Sequence, residues 1–303
     1  MKRVRSVQLP YTNMIDSKPP ASTHWVAWGQ RLLLAIGVLG MLVVAALSWL
    51  KSPLPEPVST TRELREGCQT GLTGTAGRHT DLRTPSGLAF TVVTPVNYTP
   101  QRQHGLMIMY PPAGFGSASA ERYYQFTTQA HQQGFIVVYS NAIPLSSKAL
   151  LLQGEIATQV VSQWCIDPTR IVYAGHSDGG SVATGLAVRN DGHSIKPTHL
   201  LISAAGITGE DLQKESCPAP LHVSLLHNPS DERFPNYGKS AAQWWSDCMQ
   251  CTNAGNDSSG CQIKHCRQGR TLRYCETPEK HSQWPLVAKQ FWLWLDRDVS
   301  SPP

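Results

Sequence analysis

The chain has 303 residues, of which 41% are hydrophobic and 16% are charged, and its formal net charge is +5. This length and composition suit one large globular domain with a leader, and they exclude a disordered chain. Residues 1–31 hold five basic side chains and one acidic side chain, so four of the five net charges lie there. The remainder is nearly neutral. The basic balance is therefore no argument for nucleic-acid binding, and we expect no nucleic-acid partner.

An uncharged apolar run, residues 32–50, follows the basic tail and is long enough to cross a bilayer as a helix. Tryptophans flank it, as they do at membrane interfaces, and the charge asymmetry predicts a cytoplasmic N-terminus. We therefore predict a cytoplasmic tail (1–31) and an uncleaved signal anchor that places the rest on the periplasmic or extracellular side. The alternative is a signal peptide cleaved near residues 46–48, which would release a secreted protein.

All eight cysteines lie beyond the apolar run. An even number of cysteines on the exported side predicts disulfides formed in an oxidising compartment. The alternative is a zinc ribbon, because Cys248 and Cys251 form a C-x-x-C pair that is followed by Cys261 and Cys266. The wider spacing of the second pair favours disulfides, and we expect no metal. The sequence leaves the pairing open.

Residues 51–83 begin with three closely spaced prolines and predict a stiff linker with a lead-in segment. In residues 84–303, apolar β-branched runs alternate with helical segments, which predicts a mostly parallel sheet with helices on both faces. Residues 248–269 predict a disulfide-pinned loop inserted before the last strand. The predicted strands are 88–94, 106–110, 135–140, 170–174, 199–203, 221–227 and 271–275. The predicted helices are 120–133, 150–164, 180–189, 238–248 and 284–295.

The strongest local pattern is Gly175-His-Ser177-Asp-Gly179, which follows a predicted strand and precedes a predicted helix. In that setting G-x-S-x-G is the nucleophile elbow of the α/β-hydrolase fold. Its glycines are needed because side chains there would collide with the neighbouring strand and helix. We therefore predict the α/β-hydrolase fold with Ser177 as nucleophile. A chance Gly-Ser loop is the alternative.

A serine hydroxyl needs a positioned base, and the base needs a carboxylate to hold it. In this fold the chain order is Ser, then Asp or Glu, then His. Asp231 follows the predicted strand 221–227, and His281 follows the predicted strand 271–275, so both should reach the edge of the sheet that presents Ser177. The alternatives are a solvated turn for Asp231, and His176 or His227 as the base.

Acyl transfer also needs backbone N–H donors aimed at the developing oxyanion. One is expected at Asp178, and the second should come from residues 111–116, after the second predicted strand. Proline has no N–H, so Ala113, Gly114 or Phe115 must supply that donor, unless the loop is an ordinary Gly-Pro turn. The chemistry implies no metal or organic cofactor. The candidates for lining the substrate pocket are His176, Phe115 and Trp284.

These motifs resemble those of the secreted polyhydroxybutyrate depolymerase and feruloyl esterase group of α/β hydrolases. The resemblance spans about residues 85–295. It implies the triad Ser177, Asp231 and His281 and hydrolysis of a carboxylic ester through an acyl-enzyme. It is carried by C-I-D-P-T-R-I-V-Y-A-G-H-S-D-G-G (165–180), H-N-P-S-D (227–231) and H-S-Q-W-P (281–285).

The chain departs from the family pattern around these motifs. Asn228 replaces a glycine, Glu279 and Lys280 replace the glycines before the histidine, Gln283 adds one residue, and prolines 111–112 replace His-Gly. The substrate class therefore stays open among aromatic, acetyl and hydroxyalkanoate esters, as small molecules or polymers, and so does the oligomeric state. A serine peptidase of the same fold and a non-catalytic binding module are the alternative functions.

Overall fold

The computed structural model describes residues 24–68, 70–189 and 195–300. The chain divides into two units, residues 1–53 and residues 54–303. The candidate site residues all belong to the second unit.

The first unit contains helix α1, His24–Lys51. Its described apolar side chains, such as those of Ile36 and Leu39, are exposed. Within the ranges that the structure describes, no helix has the length and hydropathy that a membrane crossing requires. The anchor at residues 32–50 stays a prediction, and residues 1–23 of the predicted tail lie outside the described residues.

In the described part of the second unit, ten strands form one sheet in the order β1-β2-β4-β3-β5-β6-β7-β10-β9-β8. The strands are β1 (Arg78–Arg83), β2 (Ala89–Val93), β3 (His104–Tyr110), β4 (Phe135–Ser140), β5 (Ile166–His176), β6 (His199–Ser203), β7 (His222–His227), β8 (Thr252–Asn256), β9 (Gln262–His265) and β10 (Thr271–Glu276).

The six central strands, from β4 to β10 in the sheet order, run parallel to one another, and two antiparallel strands extend the sheet at each edge. Parallel strands are covered on both faces and are therefore apolar throughout. Accordingly, all seven residues of β3 are buried. The parallel arrangement brings the carboxyl ends of β5, β7 and β10 to the same edge, where the candidate site lies.

Helices cover both faces of the sheet, and each face has its own core because successive strand residues point to opposite sides. Ile108 of β3 packs in the core that contains side chains of α4, α5 and α7, whereas its neighbour Met107 packs in the core of α2, α3 and α8. The helices are α2 (Ser117–Tyr124), α3 (Thr127–Gln132), α4 (Ser147–Gln163), α5 (Asp178–Val188), α6 (Gly209–Leu212), α7 (Tyr237–Cys248) and α8 (Phe291–Ser300).

Two predicted helices differ from the observed ones. The helix predicted over 120–133 is split into α2 and α3, because Gln125 adopts a left-handed φ of 55° and ends α2. The closing helix predicted over 284–295 begins later. Pro285 disfavours helical geometry at the residue before it. A 3₁₀ turn, Leu286–Gln290, therefore precedes α8.

The cysteine-rich interval contains two strands where the sequence predicts a loop. β8 and β9 form an antiparallel hairpin that continues the sheet beyond β10. All five residues of β8 are exposed, so this strand has no alternation of apolar and polar residues by which it could be recognised. β1, in the predicted lead-in segment, was missed for a similar reason, because its sequence is mostly polar.

All eight cysteines are paired, so no thiolate remains for the alternative zinc ribbon. One disulfide joins the segment before β1 to the start of β5, and two lie in or beside the hairpin of β8 and β9. Disulfides of this number are typical of proteins outside the cytoplasm. The pairs are Cys68–Cys165, Cys217–Cys248, Cys251–Cys266 and Cys261–Cys275.

Candidate active site

Ser177 lies in the sharp turn between β5 and α5, with φ 55° and ψ −123°. Residues other than glycine rarely adopt a positive φ, so this turn is strained. Its backbone is held by the Ser177 N–H, which donates to the Ser203 carbonyl oxygen at 3.0 Å. A Cβ on Gly175 would lie 2.3 Å from the backbone of Gly179, and one on Gly179 would lie 2.0 Å from the carbonyl oxygen of Tyr110. Both glycines of the motif are therefore required by close backbone packing.

Three side chains form a hydrogen-bonded row at the carboxyl edge of the sheet. The Ser177 Oγ lies 2.9 Å from the His281 Nε2, and the His281 Nδ1 lies 2.8 Å from the Asp231 Oδ2. All three residues are buried. The sequence candidates that follow β5, β7 and β10 thus meet at one place, and neither of the rival bases, His176 and His227, is the partner of the serine hydroxyl.

Asp231 is held by backbone donors as well as by the imidazole. Its Oδ1 accepts hydrogen bonds from the N–H groups of Arg233 at 2.8 Å and Phe234 at 2.9 Å. Burial alone would raise the pKa of this carboxyl, but the bonds from Phe234, His281 and Arg233 outweigh burial and leave the pKa below its ordinary value. His227 supports the same loop, because its Nε2 donates to the Phe234 carbonyl oxygen at 2.8 Å. Asp231 is therefore kept ionised and correctly aimed.

Residues that depart from the motif pattern noted in the sequence stabilise the histidine loop by hydrogen bonds. Asn228 donates from Nδ2 to the carbonyl oxygen of Glu279 at 3.0 Å, which joins the aspartate loop to the histidine loop. The Glu279 carboxylate accepts from the Leu286 N–H at 3.1 Å. The Lys280 N–H donates to the side-chain oxygen of Gln283 at 3.0 Å. Side-chain hydrogen bonds thus brace the segment that carries His281.

The loop after β3 lies beside the nucleophile, as the oxyanion-hole hypothesis requires. Its Phe115 N–H is engaged by the Pro112 carbonyl oxygen at 3.2 Å, so it is not the donor for substrate. Ala113 lines the cleft, whereas Gly114 sits at a positive φ of 78° and does not line it. Asp178 begins α5, where N–H groups and the helix dipole favour negative charge. Of the candidate donors, Asp178 thus begins the helix after the nucleophile, and Ala113 lines the cleft beside it.

A cleft of about 210 Å³ opens above the serine hydroxyl. Most of its lining comes from the loop after β3, from α2 and from the loop after β7. Its polar residues lie around the mouth and the nucleophile, and its aromatic residues form one wall. The lining residues are Pro112, Ala113, Phe115, Tyr123, His176, Ser177, Glu232, Arg233, His281 and Ser282.

Two of the three pocket candidates, Phe115 and His176, line this cleft, and Trp284 does not. The Trp284 indole packs behind the wall, with its ring centroid 4.7 Å from that of Tyr124 and 6.0 Å from that of Phe126. The observed contacts make it a support for the side chains next to the cleft.

Five cleft residues were not among the site residues predicted from the sequence, namely Pro112, Tyr123, Glu232, Arg233 and Ser282. Glu232 and Arg233 directly follow the aspartate of the row, and this position in the loop after β7 is a signal that could have pointed to them. Tyr123 lies on α2, and its ring forms an edge-to-face pair with Phe115 at 5.6 Å. Nothing in the sequence near Tyr123 distinguishes it from a core aromatic residue.

No family model matches the chain, and no curated protein matches it in sequence. Among solved structures, the chain is similar to a thermostable esterase, with 15% identity, a TM-score of 0.53 and coverage of 73% of this chain and 62% of the other. It is also similar to an acetyl xylan esterase from Aspergillus awamori, with 13% identity, a TM-score of 0.56 and coverage of 74% and 99%.

A candidate dipeptidyl aminopeptidase IV from Bacteroides ovatus is a further match, with 14% identity, a TM-score of 0.52 and coverage of 73% of this chain and 34% of the other. The chain thus spans less than two thirds of the thermostable esterase and of this peptidase-like protein. At such identities the similarity concerns the fold. Combined with the parallel sheet, the helices on both faces and the strained turn at Ser177, it shows that this chain has the α/β-hydrolase fold.

Proposed function

We propose that this protein is a serine ester hydrolase in which Ser177 is the nucleophile, His281 the general base and Asp231 the residue that orients the base. The observation that carries the proposal is the row of two hydrogen bonds beside the cleft. The Ser177 Oγ lies 2.9 Å from the His281 Nε2, and the His281 Nδ1 lies 2.8 Å from the Asp231 Oδ2. A chance arrangement would not also place the serine at a strained turn between strand and helix.

The proposed reaction has two halves. The Ser177 Oγ attacks the ester carbonyl carbon while the His281 Nε2 takes the hydroxyl proton, and Asp231 stabilises the imidazolium. The N–H groups of Asp178 and Ala113 would hold the oxyanion. The bond to the alcohol oxygen then breaks, and His281 protonates the departing alcohol. Water, activated by the same imidazole, attacks the acyl-enzyme and releases the acid.

The substrate class is an ester of an aromatic, acetyl or hydroxyalkanoate acid. The rings of Phe115 and Tyr123 offer an apolar surface to an acyl or aryl group, and the polar mouth at Glu232 and Arg233 suits a hydroxylated or polymeric alcohol. One structural neighbour is an acetyl xylan esterase, which agrees with this range. A panel of acetyl, feruloyl and hydroxyalkanoate esters would rank these classes.

We place this chemistry outside the cytoplasm. The support is the four disulfides, which form and persist in oxidising compartments. Attachment to a membrane through residues 32–50 stays a prediction from the sequence. Carbonate extraction of membranes would test it, because a spanning helix resists extraction and a cleaved leader leaves the protein soluble.

A fluorophosphonate probe tests the role of the nucleophile. We expect the probe to label the wild type and not Ser177→Ala, since only an activated serine attacks the phosphorus. Ser162→Ala, at an exposed serine of α4, is the matched control and should label like the wild type. Labelling that persists in Ser177→Ala would refute the assignment. Cleavage of dipeptide amides but of no ester would instead favour the peptidase alternative.

A further inference from the structure

His176, the residue before the nucleophile, has a set of contacts that the proposed reaction does not use. It is buried, although one edge of its ring reaches the cleft. Its Nε2 lies 2.6 Å from the backbone carbonyl oxygen of His281, and its Nδ1 lies 3.1 Å from the Ser203 Oγ. The imidazole therefore joins the end of β6 to the loop that carries the base.

These contacts decide the protonation of the ring. A carbonyl oxygen can only accept, so the His176 Nε2 carries a hydrogen and donates it to His281. Burial lowers the pKa of His176 to about 4, so the ring is neutral at ordinary pH. In a neutral ring the Nδ1 is then an acceptor, and the Ser203 hydroxyl donates to it. Both ring nitrogens are satisfied in a single tautomer.

The backbone of His176 is linked to the end of β3 through the hydroxyl of Tyr124. Its N–H donates to the Tyr124 Oη at 2.9 Å, and that hydroxyl donates to the Tyr110 carbonyl oxygen at 2.6 Å. Tyr110 ends β3, directly before the loop with the favoured oxyanion donor. One residue thus connects the nucleophile strand, the histidine loop and the oxyanion side.

We propose that His176 is a positioning residue, whose neutral imidazole fixes the main chain of His281 so that the His281 Nε2 meets the hydroxyl of Ser177. The inference rests on the proposed function, since it concerns the same base and nucleophile. His281 lies on a loop without regular secondary structure, and a bond to its own carbonyl oxygen constrains its position more directly than packing of neighbouring rings. A small misplacement of a general base lowers the rate strongly.

Two amide variants separate this role from simple packing. The amide nitrogen of a glutamine occupies about the place of Nε2, whereas that of an asparagine occupies about the place of Nδ1. His176→Gln can therefore still donate to the His281 carbonyl, while His176→Asn reaches only toward Ser203. For p-nitrophenyl ester hydrolysis we expect kcat of the Asn variant to fall about 10- to 100-fold with KM changed less than about threefold, and the Gln variant to keep most of kcat.

The fluorophosphonate labelling rate should fall by a similar factor in the Asn variant, because labelling requires the same base. Thermal melting of both variants is measured alongside. Equal kcat in the Asn and Gln variants, whether unchanged or equally lost, would assign only a packing role to His176 and overturn the inference. A wild type that neither labels nor hydrolyses esters would instead overturn the proposed function, so the two failures are distinguishable.

Discussion

At the scale of single residues, the arrangement of the site follows from the hydrogen-bond partner that each side-chain atom already has. Asp231 uses one carboxylate oxygen for two backbone N–H groups and the other for the His281 imidazole. The first pair of bonds keeps the carboxylate from turning, so the second oxygen faces the imidazole. When the ring is neutral, its proton lies on the Nδ1 that faces Asp231, and the Nε2 that faces the serine is unprotonated, which is the form that the proposed general base needs.

Replacing Asp231 by asparagine tests this tautomer argument. The asparagine oxygen can keep the two backbone bonds, but its NH₂ group then faces the His281 Nδ1 and forces the proton onto Nε2. We expect kcat for p-nitrophenyl acetate to fall about 10³- to 10⁴-fold with a small change in KM. Asp247→Asn, at an exposed residue of α7, is the matched control. A loss of less than tenfold in Asp231→Asn would contradict the role.

The identities of the three residues in the row were predictable from the sequence, because each follows an apolar strand in a fixed chain order. Their supports were not. Phe234 donates to Asp231 and packs its ring 5.2 Å from that of His281, yet nothing in its sequence surroundings marks it. Asn228 was noted only as a departure from a glycine, and its bond to the Glu279 carbonyl depends on two loops that lie 51 residues apart in the chain. Contacts of this range follow from packing rather than from local pattern.

At the scale of elements, disulfides fix chain segments that lie outside the helices and strands. Cys68–Cys165 ties the segment ahead of β1 to the residue directly before β5 over a sequence separation of 97. Cys217–Cys248 closes a loop of separation 31 at the end of α7. A disulfide stabilises a protein largely by restricting the unfolded chain, and longer loops give a larger effect.

Removing each pair in turn gives a ranked prediction. We expect Cys68→Ala with Cys165→Ala to lower the free energy of unfolding by about 2–5 kcal/mol. Cys217→Ala with Cys248→Ala should cost roughly 1 kcal/mol less, from the ratio of the loop lengths. Urea unfolding of the two double variants measures both values. The reverse order would show that native packing around the cysteines, rather than loop closure, dominates.

Element types were predictable where apolar residues alternate or run continuously, and not elsewhere. The parallel strands, such as β3 with its seven buried residues, were recognisable because both faces are covered. β8 and β9 were not, since strands at an exposed edge need only backbone hydrogen bonds. The break at Gln125 was equally hidden, because residues 120–133 contain no glycine or proline to mark a left-handed φ.

At the scale of the whole molecule, several imidazoles are buried. Burial is the largest cause of a lowered pKa in five of them, His104, His131, His176, His199 and His227. It brings the pKa to about 4 in His104, His131 and His176, and well below the ordinary value in His199. These five rings are neutral in the folded protein at ordinary pH.

Stability should therefore decrease in mild acid. The unfolded chain takes up protons on these histidines near pH 6.5, whereas the folded protein takes them up near pH 4 on His104, His131 and His176 and at a pH below 6.5 on the others. Between these values the unfolded state binds more protons, so each such histidine lowers the free energy of unfolding by up to about 1.4 kcal/mol per pH unit as the pH falls. Urea midpoints at pH 7, 6 and 5 measure the effect. A midpoint that stays constant over this range would contradict it.

The sequence by itself determined the fold class, the three residues of the row and the presence of disulfides, because each leaves a local pattern of strand, turn and spacing. Only the tertiary structure decided which cysteines pair, which loop residue sits by the nucleophile, and that His176 holds His281 by its main chain. Those relations join segments up to 105 residues apart. They arise because strands distant in the chain end at one edge of the sheet, and no local pattern records which side chains meet there.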